Sequence, residues 1–267
     1  MINHKRKLSA FIPVQNVEDI IEECLESIKW ADEIFVVDAF STDKTLEICN
    51  RYSNVKIVQH EYENSGAQRS WGMPKVTHDW VFIIDSDERC NEELRNEIEK
   101  ILAIEKIDGD GFWVSIKTKF LGKLQNHDRA LGHSGMRLVR KKTYENYVLK
   151  KVHSKLIVLN SGKIKNKNAF IMHEPIRRFS SHFKKMIRYA EWSAQEMYEN
   201  GIRTKWYHFV FRPLFKFIIH YFIKRGFLDG IRGLILCQIT AISVFMKYYK
   251  LYFLPRKMSE KRSKSDI

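Results

Sequence analysis

The chain has 267 residues, 44% of them hydrophobic, and a formal net charge of +14; this suffices for one large α/β domain with an extension, or two small domains, and excludes a wholly disordered chain. Its four cysteines, Cys24, Cys49, Cys90 and Cys237, are scattered without metal-ligand spacing, which argues against a zinc site or a disulfide framework and for a reducing compartment. The charge is split between a net −10 over residues 1–110 and a net +24 over residues 111–267, so the second half is suited to an anionic partner: nucleic acid, anionic lipid or a phosphorylated substrate.

The N-terminal Met1 to Lys7 is short and basic and leads into an apolar run too brief for a signal-peptide core, so no export is expected. Leu8 to Val14 reads as a first strand ended by Pro13, and Gln15 to Glu18 as a turn. Ile20, Ile21, Cys24, Leu25 and Ile28 recur at helical spacing within Asp19–Trp30. Glu33 to Asp38 is a second strand, and Ser41-Thr42-Asp43 caps a helix over Lys44–Tyr52. Val55–Val58 is a third strand, Ala67 to about Lys75 a helix, Trp80–Asp85 a fourth strand and Asn91–Ile104 an amphipathic helix. This alternation predicts a parallel sheet with right-handed crossovers. Neither the Gly-rich turn of dinucleotide binders nor a P-loop is present.

Polar residues gather where these strands end, which is where open α/β sheets bind ligands. They are Pro13 to Glu18 after the first strand, Asp38 after the second, and Asp85-Ser86-Asp87 after the fourth. Asp38 can accept hydrogen bonds from a ribose or base. Asp85 and Asp87 are close enough to share a hard divalent cation. Arg69 is the basic residue most easily aimed at a diphosphate. A lone Asp-x-Asp is more often an acidic turn, a lone Asp38 or Asp43 more often a cap, and Arg69 alone a solvated helix face. Four such features at one sheet edge favour a site.

The stretches SAFIPVQNVEDIIEECLESI, ADEIFVVDAFSTDKTLEI, SGAQRSWG and DWVFIIDSDE, in this order and spacing, resemble the inverting family-2 glycosyltransferases of GT-A fold. The resemblance implies a nucleotide-diphosphate-sugar donor, with Pro13, Asn16 and Glu18 around the nucleotide, Asp38 on the base or ribose, Arg69 and Asp85 at the donor, and Asp87 with Asp85 holding Mg²⁺ or Mn²⁺. A second set, Gln68-Arg69-Ser70-Trp71, Met136 to Arg140, Val152-His153, Ile171-Met172-His173 and Gly226 to Gly230, is similar to bacterial lipopolysaccharide-core β-1,4-glucosyltransferases. It implies UDP-glucose as donor and a lipid-linked or lipopolysaccharide-core saccharide as acceptor. Where such enzymes place His followed by Glu, this chain has His153-Ser154. The general base therefore stays open among Asp128, Glu145, His153 and Glu174.

In the second half, Gly111–Ile116, Met136–Arg140, Val152–Leu159 and Ala169–His173 read as strands, and Leu121–His133 as a polar loop. His153 and His173 are read equally as structural histidines or as part of an acceptor or diphosphate site. Phe179 to Asn200 is a helix ended by Gly201. Trp206 to Leu254 is dense in aromatics and Lys/Arg. Its longest uncharged run, Gly233–Met246, has 14 residues against the ~20 that a spanning helix needs, so an interfacial helix pair on an anionic bilayer is expected rather than a span. The alternative is a helical cap facing the core.

The expected architecture is an α/β GT-A nucleotide-sugar fold, with a mostly parallel sheet and flanking helices, plus a basic amphipathic helical extension. Residues 1–178 form the catalytic domain, divided into a donor half (1–110) and an acceptor half (111–178). Residues 179–254 form the membrane-associating extension and 255–267 a disordered basic tail. The expected activity is metal-dependent inverting sugar transfer at the cytoplasmic face of the inner membrane, without a nucleic-acid partner. The rival classes are a nucleotidyltransferase acting on sugar phosphates and a non-enzymatic nucleic-acid binder. The first normally has a Gly-rich basic N-terminal loop, and IPVQNVED is not one. Against the second, the aromatics lie in apolar helix-like stretches rather than on strand platforms.

Overall fold

The computed structural model describes residues 6–125, 134–148, 155–176 and 179–265. The chain forms two compact units: Met1–Lys117 with His133–Glu174, and Thr118–Gly132 with Pro175–Ile267.

The first unit is built on β1 (Leu8–Val14), α1 (Ile21–Ile28), β2 (Glu33–Asp38), α2 (Thr45–Cys49), β3 (Val55–Gln59), α3 (Ser65–Gly72), β4 (Trp80–Ile83), β5 (Glu88–Cys90) and α4 (Glu92–Ala103). The strands β6 (Gly111–Phe120), β7 (Lys123–Leu124), β8 (Ser134–Arg140), β9 (Tyr147–Val148), β10 (Lys155–Leu156), β11 (Ser161–Lys163) and β12 (Phe170–His173) follow in the chain, with β7 and the last residues of β6 counted in the second unit. The main sheet runs β3-β2-β1-β4-β8-β6-β12-β5. Its first four strands are parallel, as the alternating pattern predicts. β8 joins β4 and β6 antiparallel, and β12 joins β5 antiparallel.

The apolar runs are uniform because both sheet faces are covered. Ala10, Ile12, Ile34, Val36 and Phe82 enter one core, while their neighbours Phe11, Phe35, Val37, Val81 and Ile83 enter the other. Helix α1 buries Ile21, Cys24, Leu25 and Ile28 and carries Glu22 and Glu23 in its first turn, where the helix dipole favours acids. The Asn64 and Asn91 side chains accept from the Ala67 and Leu94 amides at 3.0 and 3.1 Å, capping α3 and α4.

Three local expectations change. Pro13 lies inside β1 rather than ending it, paired with Val37. Phe11 O accepts from Ile84 N while Val14 O accepts from Ala39 N, so the Pro13 nitrogen faces the β4 side, beyond the end of β4, and its missing N–H breaks no ladder bond. The predicted strand over Val152–Leu159 reduces to Lys155–Leu156, paired with Tyr147–Val148; residues 152–154 lie outside the described residues. The three-residue β5 is not predicted at all.

The second unit contains α5 (Phe179–Glu199), α6 (His208–Ile218) and α7 (Gly230–Ser265). Its core joins Phe120, Ile176, Met186, Leu236 and Ile239. Gly201, at φ +75°, ends α5 in the left-handed conformation as expected. A π-turn over Ile219–Ile223 and a 3-10 turn over Gly226–Asp229 join α6 to α7. A Cβ on Gly233 would stand 1.9 Å from the Gly226 carbonyl oxygen, so glycine is required where α7 crosses that turn.

Composition predicts a disordered tail over 255–267, yet α7 continues to Ser265. Lys, Arg, Glu and Met are good helix formers and extend a helix that is already nucleated. Among the described residues one helix, Gly226–Leu254, is long and apolar enough by length and composition to cross a membrane, with mean hydropathy 1.5. The uncharged-run count misses this because Lys247 and Lys250 lie near one end, where long basic side chains can snorkel.

Candidate active site

Two loops at the C-terminal ends of β1 and β2 are laced together. Asp38 is fully buried and accepts from the Ser41 amide at 3.2 and 3.1 Å and from Gln59 Nε2 at 3.1 Å. Asn16, at φ +50°, accepts from the Thr42 amide at 2.8 Å and donates its own amide to Ser41 Oγ at 2.9 Å. Glu18 Oε2 accepts from the Lys44 amide at 2.9 Å, and the Glu18 amide donates to Asp43 Oδ2 at 3.1 Å. Asp43 makes a local turn rather than the expected helix cap: it also accepts from the Thr45 amide at 3.0 Å, and α2 begins after Lys44 with no side-chain cap. Partial burial works against its charge, but these hydrogen bonds prevail and hold its carboxyl below the usual range. Asn16, Glu18 and Asp38 thus shape the loops beside the sheet edge, while Pro13 lies in the strand beneath.

The second group surrounds the turn after β4. The Glu88 amide donates to Asp85 O at 2.9 Å, and the Asp85 amide donates to Glu88 Oε2 at 2.9 Å. Arg69 of α3 reaches Asp85 Oδ1 at 2.5 Å. Arg137 of β8, buried, reaches Glu88 Oε1 at 2.6 Å and Asp85 Oδ2 at 3.5 Å. Burial alone would raise the Asp85 carboxyl, but the two guanidinium groups hold it well below the carboxylate range. Burial pushes Glu88 up, with Arg137 opposing it.

Antiparallel pairing of β5 with β12 sets His173 opposite Glu88 and brings the end of β12 to Asp87. His173 Nε2 lies 3.5 Å from Asp87 Oδ2, and the Glu174 amide donates to Asp87 O at 3.0 Å. Burial lowers the His173 pKa, but the hydrogen bond to Asp87 and the charges of Asp87, Glu88 and Asp85 outweigh it and raise the value.

No cluster of three or more metal-ligating side chains occurs among the described residues. A cation that also binds diphosphate needs only one or two protein ligands. Asp87 with His173 supplies one carboxylate oxygen and one imidazole nitrogen, both partly exposed and close enough to face the same ion. Both oxygens of Asp85 face arginines instead. Of the candidate bases, Glu174 adjoins this pair. Glu145 is exposed in the 3-10 turn Lys141–Asn146 and shares none of the cluster's hydrogen bonds among the described residues. Asp128 and His153 lie outside the described residues.

Arg137 and Glu88 are members of the site that lie within quoted motifs but were given no role there. The available signal was a charged residue within an otherwise buried strand, Arg137 between Met136 and Leu138, because a buried charge demands a partner.

The family described as Glycosyl transferase family 2 matches residues 9–156. The lipopolysaccharide core biosynthesis glycosyltransferase LpsC of Rhizobium meliloti is 25% identical over 253 residues, covering 93% of each chain. Among solved structures, S. aureus TarS 1–349 in complex with UDP-GlcNAc superposes with TM-score 0.52 at 17% identity, covering 90% of this chain and 81% of that one. The mannosyltransferase PcManGT of Pyrobaculum calidifontis, in complex with GDP-Man and Mn²⁺, gives TM-score 0.53 at 13% identity over 92% and 88% of the two chains. At these identities the structures speak for the fold.

Proposed function

We propose, from the premise that this chain belongs to glycosyl transferase family 2, that it transfers a sugar from a nucleoside-diphosphate donor to a saccharide acceptor of the bacterial cell envelope, with inversion at the anomeric carbon. That it is a glycosyltransferase follows from the family; the donor, acceptor and site assignments are the proposal. The observation that carries them is the convergence of Asp87, His173 and Glu174 beside the arginine-held Asp85. The similarity to LpsC along nearly the whole length of both chains supports an envelope acceptor.

The nucleotide lies along the β1 and β2 loops shaped by Asn16, Glu18 and Asp38, over Pro13. Asp87 and His173 would hold a divalent cation, Mg²⁺ or Mn²⁺; when bound, it supplies positive charge to the departing diphosphate. Asp85 orients Arg69, whose guanidinium adds charge at the same side. Glu174 takes the proton from the acceptor hydroxyl. The acceptor oxygen forms the new bond to the anomeric carbon as the bond to the diphosphate oxygen breaks, and the nucleoside diphosphate leaves. The sugar is assigned as glucose from UDP-glucose on the motif resemblance. The acceptor is borne by a lipid, which places the enzyme on the inner face of the membrane.

A panel of UDP- and GDP-sugars tests this. UDP release should be fastest from UDP-glucose, should require Mg²⁺ or Mn²⁺, and should be lost in Asp87→Ala with folding retained. Metal-independent release at the wild-type rate would refute the cation assignment. Release confined to another nucleotide sugar would refute the glucosyl assignment alone.

A further inference from the structure

We infer that α6 and the turn after it form an in-plane anchor that docks on an anionic lipid surface with α6 parallel to the bilayer. This rests on the reading that the acceptor is membrane-borne, and it names the surface that meets the membrane.

Helix α6 has two distinct faces. On one, Phe209 packs edge-on against Phe245 and Tyr252 of α7, with ring centroids 6.4 and 5.1 Å apart. On the other, Val210, Phe211, Leu214, Phe215 and Ile218 are between 38% and 63% exposed. Their spacing, i, i+1, i+4, i+5 and i+8, is that of a continuous helical stripe. The stripe continues into Phe222 and Ile223, 57% and 70% exposed. A contiguous apolar surface of this kind marks an interaction site.

Charge selects the occupant. Residues 201–254 contain nine Lys/Arg and a single acid, Asp229. Lys224 and Arg225 are exposed beside Phe222 and Ile223, while Arg212 lies over the Tyr248 ring of α7. Aromatic and aliphatic side chains on one face with bases beside them is the pattern of helices that lie in the headgroup boundary. Bases held near an anionic surface add electrostatic attraction to the burial of the apolar stripe, so the two act together. Trp206, 66% exposed just before α6, is the amphipathic residue type favoured at such boundaries.

Flotation of the full-length protein with vesicles of phosphatidylcholine, alone or with phosphatidylglycerol, tests the assignment. Wild-type protein should bind the anionic vesicles about tenfold or more tightly than the neutral ones. Phe211→Ser with Phe215→Ser should weaken that binding about tenfold or more without moving the thermal midpoint, since both side chains are exposed. Lys224→Glu with Arg225→Glu should erase the preference for anionic lipid even if the first pair folds poorly.

Unchanged binding in both double variants overturns the inference. A wild-type dimer that the Phe→Ser pair converts to monomer also overturns it, because the face then belongs to a second copy. Retention of the protein after alkaline carbonate washing overturns the in-plane orientation in favour of a span through Gly226–Leu254. Oligonucleotide binding that anionic vesicles fail to displace assigns the basic surface to nucleic acid and likewise overturns it. UDP-glucose hydrolysis without vesicles is read in parallel. Vesicle binding without hydrolysis counts against the catalytic reading and leaves the anchor standing; hydrolysis without vesicle binding does the reverse.

Discussion

Arg137 Nη2 lies 2.6 Å from Glu88 Oε1, and both residues are buried, at 8% and 2% exposure. The same guanidinium faces Asp85, so one strand residue of β8 holds both the turn after β4 and the first residue of β5. Removing one partner of a buried pair leaves a stranded charge, which costs about 3–5 kcal/mol. Arg137→Ala should lower unfolding stability by that order in a urea titration. Arg137→Met combined with Glu88→Gln should recover much of the loss, because neither charge then remains and the side chain at 88 still accepts from the Asp85 amide. A double variant as unstable as Arg137→Ala would show that the ion pair is not what the arginine contributes.

His173 and Asp87 are predicted to act as a pair on the cation. His173→Ala should weaken Mn²⁺ binding, read by calorimetry in the presence of UDP, at least about tenfold, which is the lower end of what even outer-shell changes cost. Asp87→Asn should do the same, and neither should shift the UDP-free thermal midpoint downward by more than a few degrees. Undiminished Mn²⁺ affinity in both variants would remove the pair from the cation site.

Glu174→Gln tests the base. The side chain keeps its shape and loses its proton acceptor, so kcat for transfer should fall by about 10²–10⁴ while donor KM stays near the wild-type value. An acceptor with a more acidic hydroxyl should recover part of the rate. If kcat is unaffected, the role passes to Glu145, or to Asp128 or His153, which lie outside the described residues.

Glu33 gives a stability prediction with a definite sign. It is buried at the start of β2 and accepts from Ser9 Oγ, from the Thr77 amide at 2.8 Å and from Thr77 Oγ1 at 2.5 Å. Burial opposes its charge, but these donors prevail and its folded pKa is lowered. The folded value thus lies below the unfolded ~4.3. Its contribution is complete above the unfolded value and is lost as pH falls through the folded one. Glu33→Gln should cost about 1.5–3 kcal/mol at neutral pH. The gap from wild type should narrow progressively below about pH 4. A gap independent of pH would mean that the carboxylate is not the stabilising form.

The amino-acid sequence by itself determined the donor half. The six residues of β2, Glu33–Asp38, have the boundaries predicted for them, because a strand covered on both faces must be apolar throughout and its polar end is then visible. The order of strands and helices followed from the same signal, and the Gly201 stop followed from local backbone chemistry. The tertiary structure alone decided the chemistry of the other half of the site. Glu88-Arg89-Cys90 carries no strand pattern and becomes β5 only by pairing with β12. That pairing joins His173 and Glu174 to Asp87 across more than eighty residues of chain. Likewise nothing local tells Arg137 that its partners are Asp85 and Glu88. A buried charge announces that it needs a counter-charge, and only the register of β8 on β4 supplies which one.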